Sequence, residues 1–276
     1  MSPRRDRSRY ASFWGAVGAS FPSLKGAAST HYYFECERML LTQFFPTLED
    51  RLLLKTDLWD EAKNTEILRW AAEQGARPAG IDIAPDIVRE AWDVLKVHRP
   101  GFAVADVRSL PFRSRAFDLI YSMGTIEHFP EHDVAVKELF RVLKPAGTAI
   151  IGVPNTLDPF LRPLLVWLLQ RLGLYAYGLE KSFTPRALRR LLESAGFRVI
   201  ARTGILFLPG WLRMLDLLCH TRFRRLAPVT GWLVRPFAWL YRRVPSVRRH
   251  GYLIAVIAKK PAGPGMAEKS RAFHCP

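Results

Sequence analysis

Residues 104–155 read VADVRSLPFRSRAFDLIYSMGTIEHFPEHDVAVKELFRVLKPAGTAIIGVPN. Asp106 closes one apolar run, and FDLIYS (117–122) follows as a strand. Val136, Leu139, Phe140 and Leu143 then recur at helical spacing, which predicts a helix over 133–143. KPAG (144–147) breaks that helix, and TAIIGV (148–153) is a further strand. Strand, helix and strand in this order put loop residues at the carboxyl ends of parallel strands, where open α/β sheets bind ligands.

The same alternation continues outward in both directions. Upstream, 31–48 reads as a helix packing across the domain, RLLLK (51–55) as a short strand and 64–74 as a helix beginning near Asn64. PAGIDI (78–83) is a strand, 85–97 a helix opened by Pro85, and 101–105 another strand. Downstream, Thr184, Pro185 and Gly196 mark the cap, first turn and stop of a helix over 183–197. Strands over 198–201 and 252–258 (YLIAVIA) complete the pattern. About fifty residues separate those two strands, far more than the usual ~4–6 of a connection. The fold class expected is α/β: a mostly parallel sheet with helices on both faces, plus helical insertions at 157–180 and 205–250. The domain then spans 31–260, after a basic arm over 1–30 and before a Pro/Gly-rich, disordered tail over 261–276.

Charge divides the 276-residue chain. Residues 156–260 carry 19 Lys and Arg against Asp158, Glu180, Glu193 and Asp216, a net +15 out of the chain's +16. The first 155 residues balance 20 basic against 20 acidic side chains. A near-neutral ligand-binding half joined to a basic, Trp-bearing half attracts phosphate-bearing partners, lipid headgroups or nucleic acid. No apolar run reaches the ~18 residues of a membrane span, and MSPRRDRSRY lacks the apolar stretch of a secretory signal. Cys36, Cys219 and Cys275 are far apart, which argues against disulfides and zinc and fits a cytoplasmic location.

Two strand-end acids carry the chemistry. Asp82, closing GID, can accept from two vicinal ribose hydroxyls, or it can cap the helix that starts at Pro85. Asp106 can accept from the exocyclic amine of an adenine with Val107 and Leu110 in apolar contact, or it can serve a turn. GIDIAPDIV, ADVRSLPF, the stretch from FDLIYS to GVPN, and SFTPRALRRLLESAGFRV together resemble successive motifs of class I S-adenosylmethionine-dependent methyltransferases. They are most similar to the type 11-like subgroup that includes ubiquinone/menaquinone and sterol methyltransferases. The resemblance covers about residues 50–204 and the last strand. It implies a Rossmann-like seven-stranded sheet with its last strand antiparallel, and S-adenosylmethionine as cofactor. It further implies Asp82 and Ile83 at the ribose, Asp106 and Val107 at the adenine, and Ser122, Met123 and Gly124 beside the methyl donor.

The chain departs from this family after the first strand. The family has an acid and a Gly-x-Gly loop there, which lets backbone N–H groups approach the methionine part of the cofactor. This chain has KTDLWDEAKN, longer than usual, and no glycine between Gly26 and Gly75. Either Asp57 or Asp60 binds the cofactor's ammonium while Thr56 or the helix start near Asn64 holds its carboxylate, or the loop is impaired and the fold has another use.

His128 is a candidate base for a substrate hydroxyl, or a structural histidine satisfying a loop carbonyl. H-x-x-E-H over 128–132 also spells a zinc-protease pattern, but Pro130 breaks the helix it requires, so no metal is implied. In the insertions, Trp211, Trp232 and Trp239 occur among Leu runs and among Arg213, Arg222, Arg224, Arg225, Arg242 and Arg243. Such segments suit an anionic membrane surface contacted through 205–250, or a lid over the site. The resulting expectation is methyl transfer to a small-molecule or lipid-linked acceptor by a membrane-associated protein. An RNA methyltransferase and a non-catalytic binding protein are the alternatives, and nucleic acid ranks below lipid because long Leu runs accompany the aromatics.

Overall fold

The structure is a computed structural model and describes residues 3–262, with side chains from residue 9. Its elements are α1 (Pro3–Ser20), α2 (Ala28–Phe44), β1 (Leu52–Lys55), α3 (Trp59–Lys63), α4 (Ile67–Glu73), β2 (Arg77–Asp82), α5 (Pro85–Leu95), β3 (Gly101–Val104) and β4 (Phe117–Met123). They continue with α6 (His132–Val142), β5 (Leu143–Pro154), α7 (Arg162–Arg171), α8 (Pro185–Ser194), β6 (Arg198–Ile205), α9 (Gly210–Arg222), α10 (Ala227–Arg243) and β7 (Leu253–Lys259). The strands form one sheet in the order β3-β2-β1-β4-β5-β7-β6. β7 is antiparallel to both neighbours, and the other pairings are parallel.

Period-two alternation sends neighbouring strand residues to opposite faces. Leu53, Leu119, Tyr121 and Ile150 join α2, α4, α5, α9 and α10 in one core. Leu54, Ile120, Ala149 and Ile151 join α6 and α8 in the other. Both faces are covered, which is why β4 is buried along nearly its whole length and reads as mostly apolar. α8 starts as its sequence predicts: the Thr184 hydroxyl accepts the Ala187 N–H at 3.2 Å, with Pro185 in the first turn.

Three expectations change in detail. The helix expected over 64–74 starts later, as α4 at Ile67 after Glu66 takes φ +59°, and the loop before it holds a further short helix, α3. Glu61 Oε1 accepts the Leu68 N–H at 3.1 Å and so caps α4 from α3. The helix ends before KPAG as expected, but the strand expected from 148 begins at Leu143, with Ala146 at φ +64° and a register shift opposite Phe117 and Leu119. The arm expected over 1–30 contains helix α1, which packs on α5. The tail beyond residue 262 lies outside the described residues.

The insertions form α7, α9 and α10. Asp216 on α9 binds them into the domain. Its carboxylate accepts the Ser29 N–H at the start of α2 and the Thr230 hydroxyl of α10, both at 2.8 Å. No helix among the described residues is long and apolar enough to cross a membrane.

Candidate active site

A cleft with about 870 Å³ of atom-free space, open to solvent at its mouth, lies at the carboxyl ends of β1, β2 and β4. Thr56, Asp57, Asp82, Ile83, Asp106, Val107, Gly124 and His128, all expected from the sequence, line it. Ser122 and Met123 do not. They are 1 % exposed, because both faces of the sheet are covered and Met123 Sδ packs closely over Gly152. Ser122 acts at one remove, since its Oγ accepts from the Thr56 hydroxyl at 2.7 Å.

Asp82 lines the cleft and accepts from two backbone amides. Oδ1 accepts the Ala84 N–H at 2.9 Å, just ahead of α5, and Oδ2 accepts the Leu58 N–H at 3.1 Å. A carboxylate offers about four lone-pair sites, so two remain for a ribose. Burial, offset by these N–H donors and by Lys55, pushes its carboxyl up to about 6. Asp106 is more heavily committed. It accepts the Arg108 N–H at 2.8 Å and two guanidinium donors at 2.8–3.1 Å, so an adenine amine would share it with Arg108. The Arg108 guanidinium lies 4.9 Å from the centroids of both Tyr10 and Phe129.

The KTDLWDEAKN loop resolves its alternatives by burial. Lys55 ends β1 and is 1 % exposed. Its ammonium donates to Asp57 O and to Asp60 Oδ2 at 3.2 Å, with Glu61 Oε1 at 3.7 Å. Asp60 is therefore spent on Lys55 and on Asn64 Nδ2 (2.7 Å), and Asn64 Oδ1 accepts from Thr30. Asp57 and Thr56 remain at the cleft. The loop amides that would hold a carboxylate are also taken, Leu58 N–H by Asp82 and Trp59 N–H by Asp57 Oδ1 at 2.8 Å.

Behind Gly124 lies Glu127, 2 % exposed, with Oε2 buried and unpartnered among the described residues. Its Oε1 sits 3.8 Å from where a Gly124 Cβ would be, an ordinary contact, and Gly124 is favoured there by φ +75°. Burial pushes the Glu127 carboxyl well up, with Glu180 and Asp57 adding to it. Burial likewise raises Asp57, with Lys55 opposing and Asp60 and Asp82 adding. Acids in this state favour a cationic guest. S-adenosylmethionine carries an ammonium and a sulfonium, so the residues present fit that cofactor, with its methionine end met by carboxylates instead of glycine amides.

His128 Nδ1 lies 2.8 Å from the Leu179 carbonyl, and a carbonyl only accepts, so Nδ1 carries the proton and Nε2 the lone pair. Burial lowers its pKa and keeps the ring neutral. Trp14 of α1 packs edge-on against His128 at 4.7 Å, and Tyr177 lies 6.5 Å from Trp14. Trp59 adds a third ring, 6.4 Å from Tyr177. These rings and Glu127 were not assigned to the site from the sequence. Trp59 was visible inside the atypical loop, whereas Trp14 and Tyr177 reach the cleft only through the docking of α1 and of the first insertion.

The methyltransferase domain family matches residues 64–151. The chain is 28% identical to 2-methyl-6-phytyl-1,4-hydroquinone methyltransferase of Synechocystis sp. over 192 residues, 64% of this chain and 57% of that protein. It is 39% identical to tocopherol O-methyltransferase of Arabidopsis thaliana over 85 residues, 29% of this chain and 24% of that protein. The chain thus spans less than two thirds of the length of these relatives. Among solved structures, the [4+2]-cyclase SpnF superposes with a TM-score of 0.58 at 20% identity, covering 83% of this chain and 81% of that one. An S-adenosylmethionine-dependent methyltransferase from Mesorhizobium loti gives 0.56 at 15%, covering 86% and 100%. With the strand order and the two strand-end acids at the cleft, these matches make residues 64–151 similar to the methyltransferase domain family, and the sheet similar in fold to an S-adenosylmethionine-dependent methyltransferase.

Proposed function

We propose that the protein transfers a methyl group from S-adenosylmethionine to a small-molecule or lipid-linked acceptor at a membrane surface. The observation that supports transfer is one cleft lined by Asp82 and by buried, cation-seeking Asp57, with buried Glu127 behind its Gly124 wall. In this reading Asp82 accepts from the ribose hydroxyls, while Ile83, Val107 and Phe129 contact the adenine. Asp57 and Glu127 hold the cationic end, and the Thr125 hydroxyl, which lines the cleft 3.0 Å from Thr56, turns to the carboxylate. When bound, the cofactor supplies an electrophilic methyl group. His128 takes the acceptor's proton on Nε2, and Trp14, Trp59 and Tyr177 exclude water. Attack at a methyl group needs alignment more than covalent help.

The membrane part rests on inverted helices. On α9, Trp211, Met214, Leu215 and Leu218 are exposed at helical spacing, while Asp216 is buried. On α7, Leu164, Trp167 and Leu168 are exposed and Arg162 is buried. Arg222, Arg224 and Arg225 lie exposed between α9 and α10. Outward apolar stripes rimmed by arginines suit an anionic lipid interface. The names of the relatives point the same way, to a phytyl hydroquinone, tocopherol and a sterol.

Calorimetry with S-adenosylhomocysteine tests the central claim. Binding is expected, weakened about 10- to 100-fold in Asp82→Asn through loss of charged hydrogen bonds. No heat at millimolar ligand would overturn it.

A further inference from the structure

Beyond Tyr177, between α2, α9 and the start of β7, lies a second polar cluster that the transfer reading does not use. Its two arginines differ. Arg162 is paired: its guanidinium meets Glu180 at 2.6 Å, lies 4.1 Å from the Tyr252 ring centroid, and is 3 % exposed. Arg213 is not paired. Its Nη1 is buried without a hydrogen-bond partner, and among the described residues no carboxylate forms a salt bridge with it. Asp216, one turn along α9, is already held by Ser29 and Thr230. The Arg213 guanidinium is instead flanked by two rings, Tyr33 at 5.1 Å and Tyr252 at 5.7 Å.

A guanidinium nitrogen buried without an acceptor is costly, and ring faces offset only part of that cost. The arrangement is complete when an anionic oxygen joins it. Tyr177 separates this cation from the cleft. It lines the cleft, and the groups acting on its hydroxyl include Tyr252, Arg213 and Glu180. The stretch bearing Tyr177 is bounded by Gly173 at φ +67° and Gly178 at φ +63°. Gly178 also sits where a Cβ would meet the Phe13 ring at 2.9 Å. Both positions favour glycine, and the segment between them carries the partition between His128 and Arg213.

We propose that Arg213 recognises the acceptor, and that the acceptor is a planar ring compound bearing an anionic oxygen, a carboxylate or a phenolate. That oxygen reaches Arg213 past Tyr177 while the methyl-accepting atom faces His128. A fork of guanidinium donors between aromatic rings matches a flat anion in both shape and charge. The inference rests on the methyl-transfer reading, but its test reads binding alone.

The full chain, saturated with S-adenosylhomocysteine, is titrated by ligand-detected NMR with benzoate, with 4-nitrophenolate at mildly alkaline pH, and with neutral benzamide. At least one anion is expected to bind about tenfold or more tighter than benzamide, as a charged hydrogen bond implies. Preference for benzoate or for nitrophenolate then separates carboxylate from phenolate. Arg213→Gln is expected to abolish the preference and Arg213→Lys to retain part of it, both with unchanged S-adenosylhomocysteine affinity. Equal binding of benzamide and both anions by the unsubstituted protein overturns the proposal, as does an Arg213→Gln protein that keeps the preference. If the anion preference holds while S-adenosylhomocysteine fails to bind, the transfer reading falls and the Arg213 site stands.

Discussion

Lys55 shows how a single position can be replaced without loss of the fold around it. An ammonium ends β1 where an acid is usual, and the loop answers it with Asp60 and Glu61, leaving Asp57 at the cleft. The consequence is a methionine end whose chemistry is acidic. Asp82 is pushed up to about 6, and Asp57 and Glu127 well above the ordinary carboxylate range, all chiefly by burial. For an acid whose folded pKa is raised, protonation favours the folded, ligand-free state, and ionisation as pH rises through that pKa weakens it. His128 and His132, lowered by burial, oppose this below their usual range. A cationic ligand favours the ionised acids. S-adenosylmethionine affinity is therefore expected to rise as pH climbs above the ordinary carboxylate range, through about 6 for Asp82, by up to about tenfold per pH unit for each carboxyl that must ionise. Calorimetry across that range in the unsubstituted protein and in Glu127→Gln measures it. A flat profile in the unsubstituted protein, or an unchanged slope in the variant, contradicts the role given to Glu127. The residues 82 and 106 were legible because a strand-end acid is a local pattern. Glu127 was not, because its significance is an unpartnered oxygen that only packing creates.

Helix α1 illustrates the element scale. Its residues read as a basic arm, since they lack a strong apolar stripe of their own. In the structure Trp14 finds its partners in His128 and Tyr177, which lie far along the chain. Trp14→Ala is expected to weaken S-adenosylhomocysteine binding about 5- to 10-fold, from the loss of ring contacts worth ~0.5–1.5 kcal/mol and of water exclusion. Thermal unfolding should change little, because Trp14 lies on the rim of the sheet's core. Unchanged affinity would show that α1 is only a cover. α8 is the opposite case: Thr184, Pro185 and Gly196 specify it locally, and the helix appears where they place it.

At the scale of the whole molecule, charge and exposed apolar surface coincide. The +15 segment is also the one whose helices turn Trp and Leu outward and bury Asp216 and Arg162. The protein is expected to sediment with vesicles containing anionic lipid and to lose most of that binding in the Trp211→Ala, Trp239→Ala double variant. Added salt should weaken it, since each Lys or Arg near an anionic surface contributes about 1 kcal/mol. Binding to RNA but not to vesicles would favour the nucleic-acid alternative instead.

The sequence by itself determined the sheet, its flanking helices, the two strand-end acids and the resemblance they carry. Each of these is written in local periodicity, caps and short motifs, which neighbouring residues enforce on one another. Tertiary structure alone decided that Asp60 is spent while Asp57 is available, that Ser122 and Met123 are buried, and that Glu127 Oε2 and Arg213 Nη1 are buried without hydrogen-bond partners among the described residues. Those outcomes depend on burial and on contacts between segments far apart in the chain, and no local pattern encodes how much water a side chain will keep.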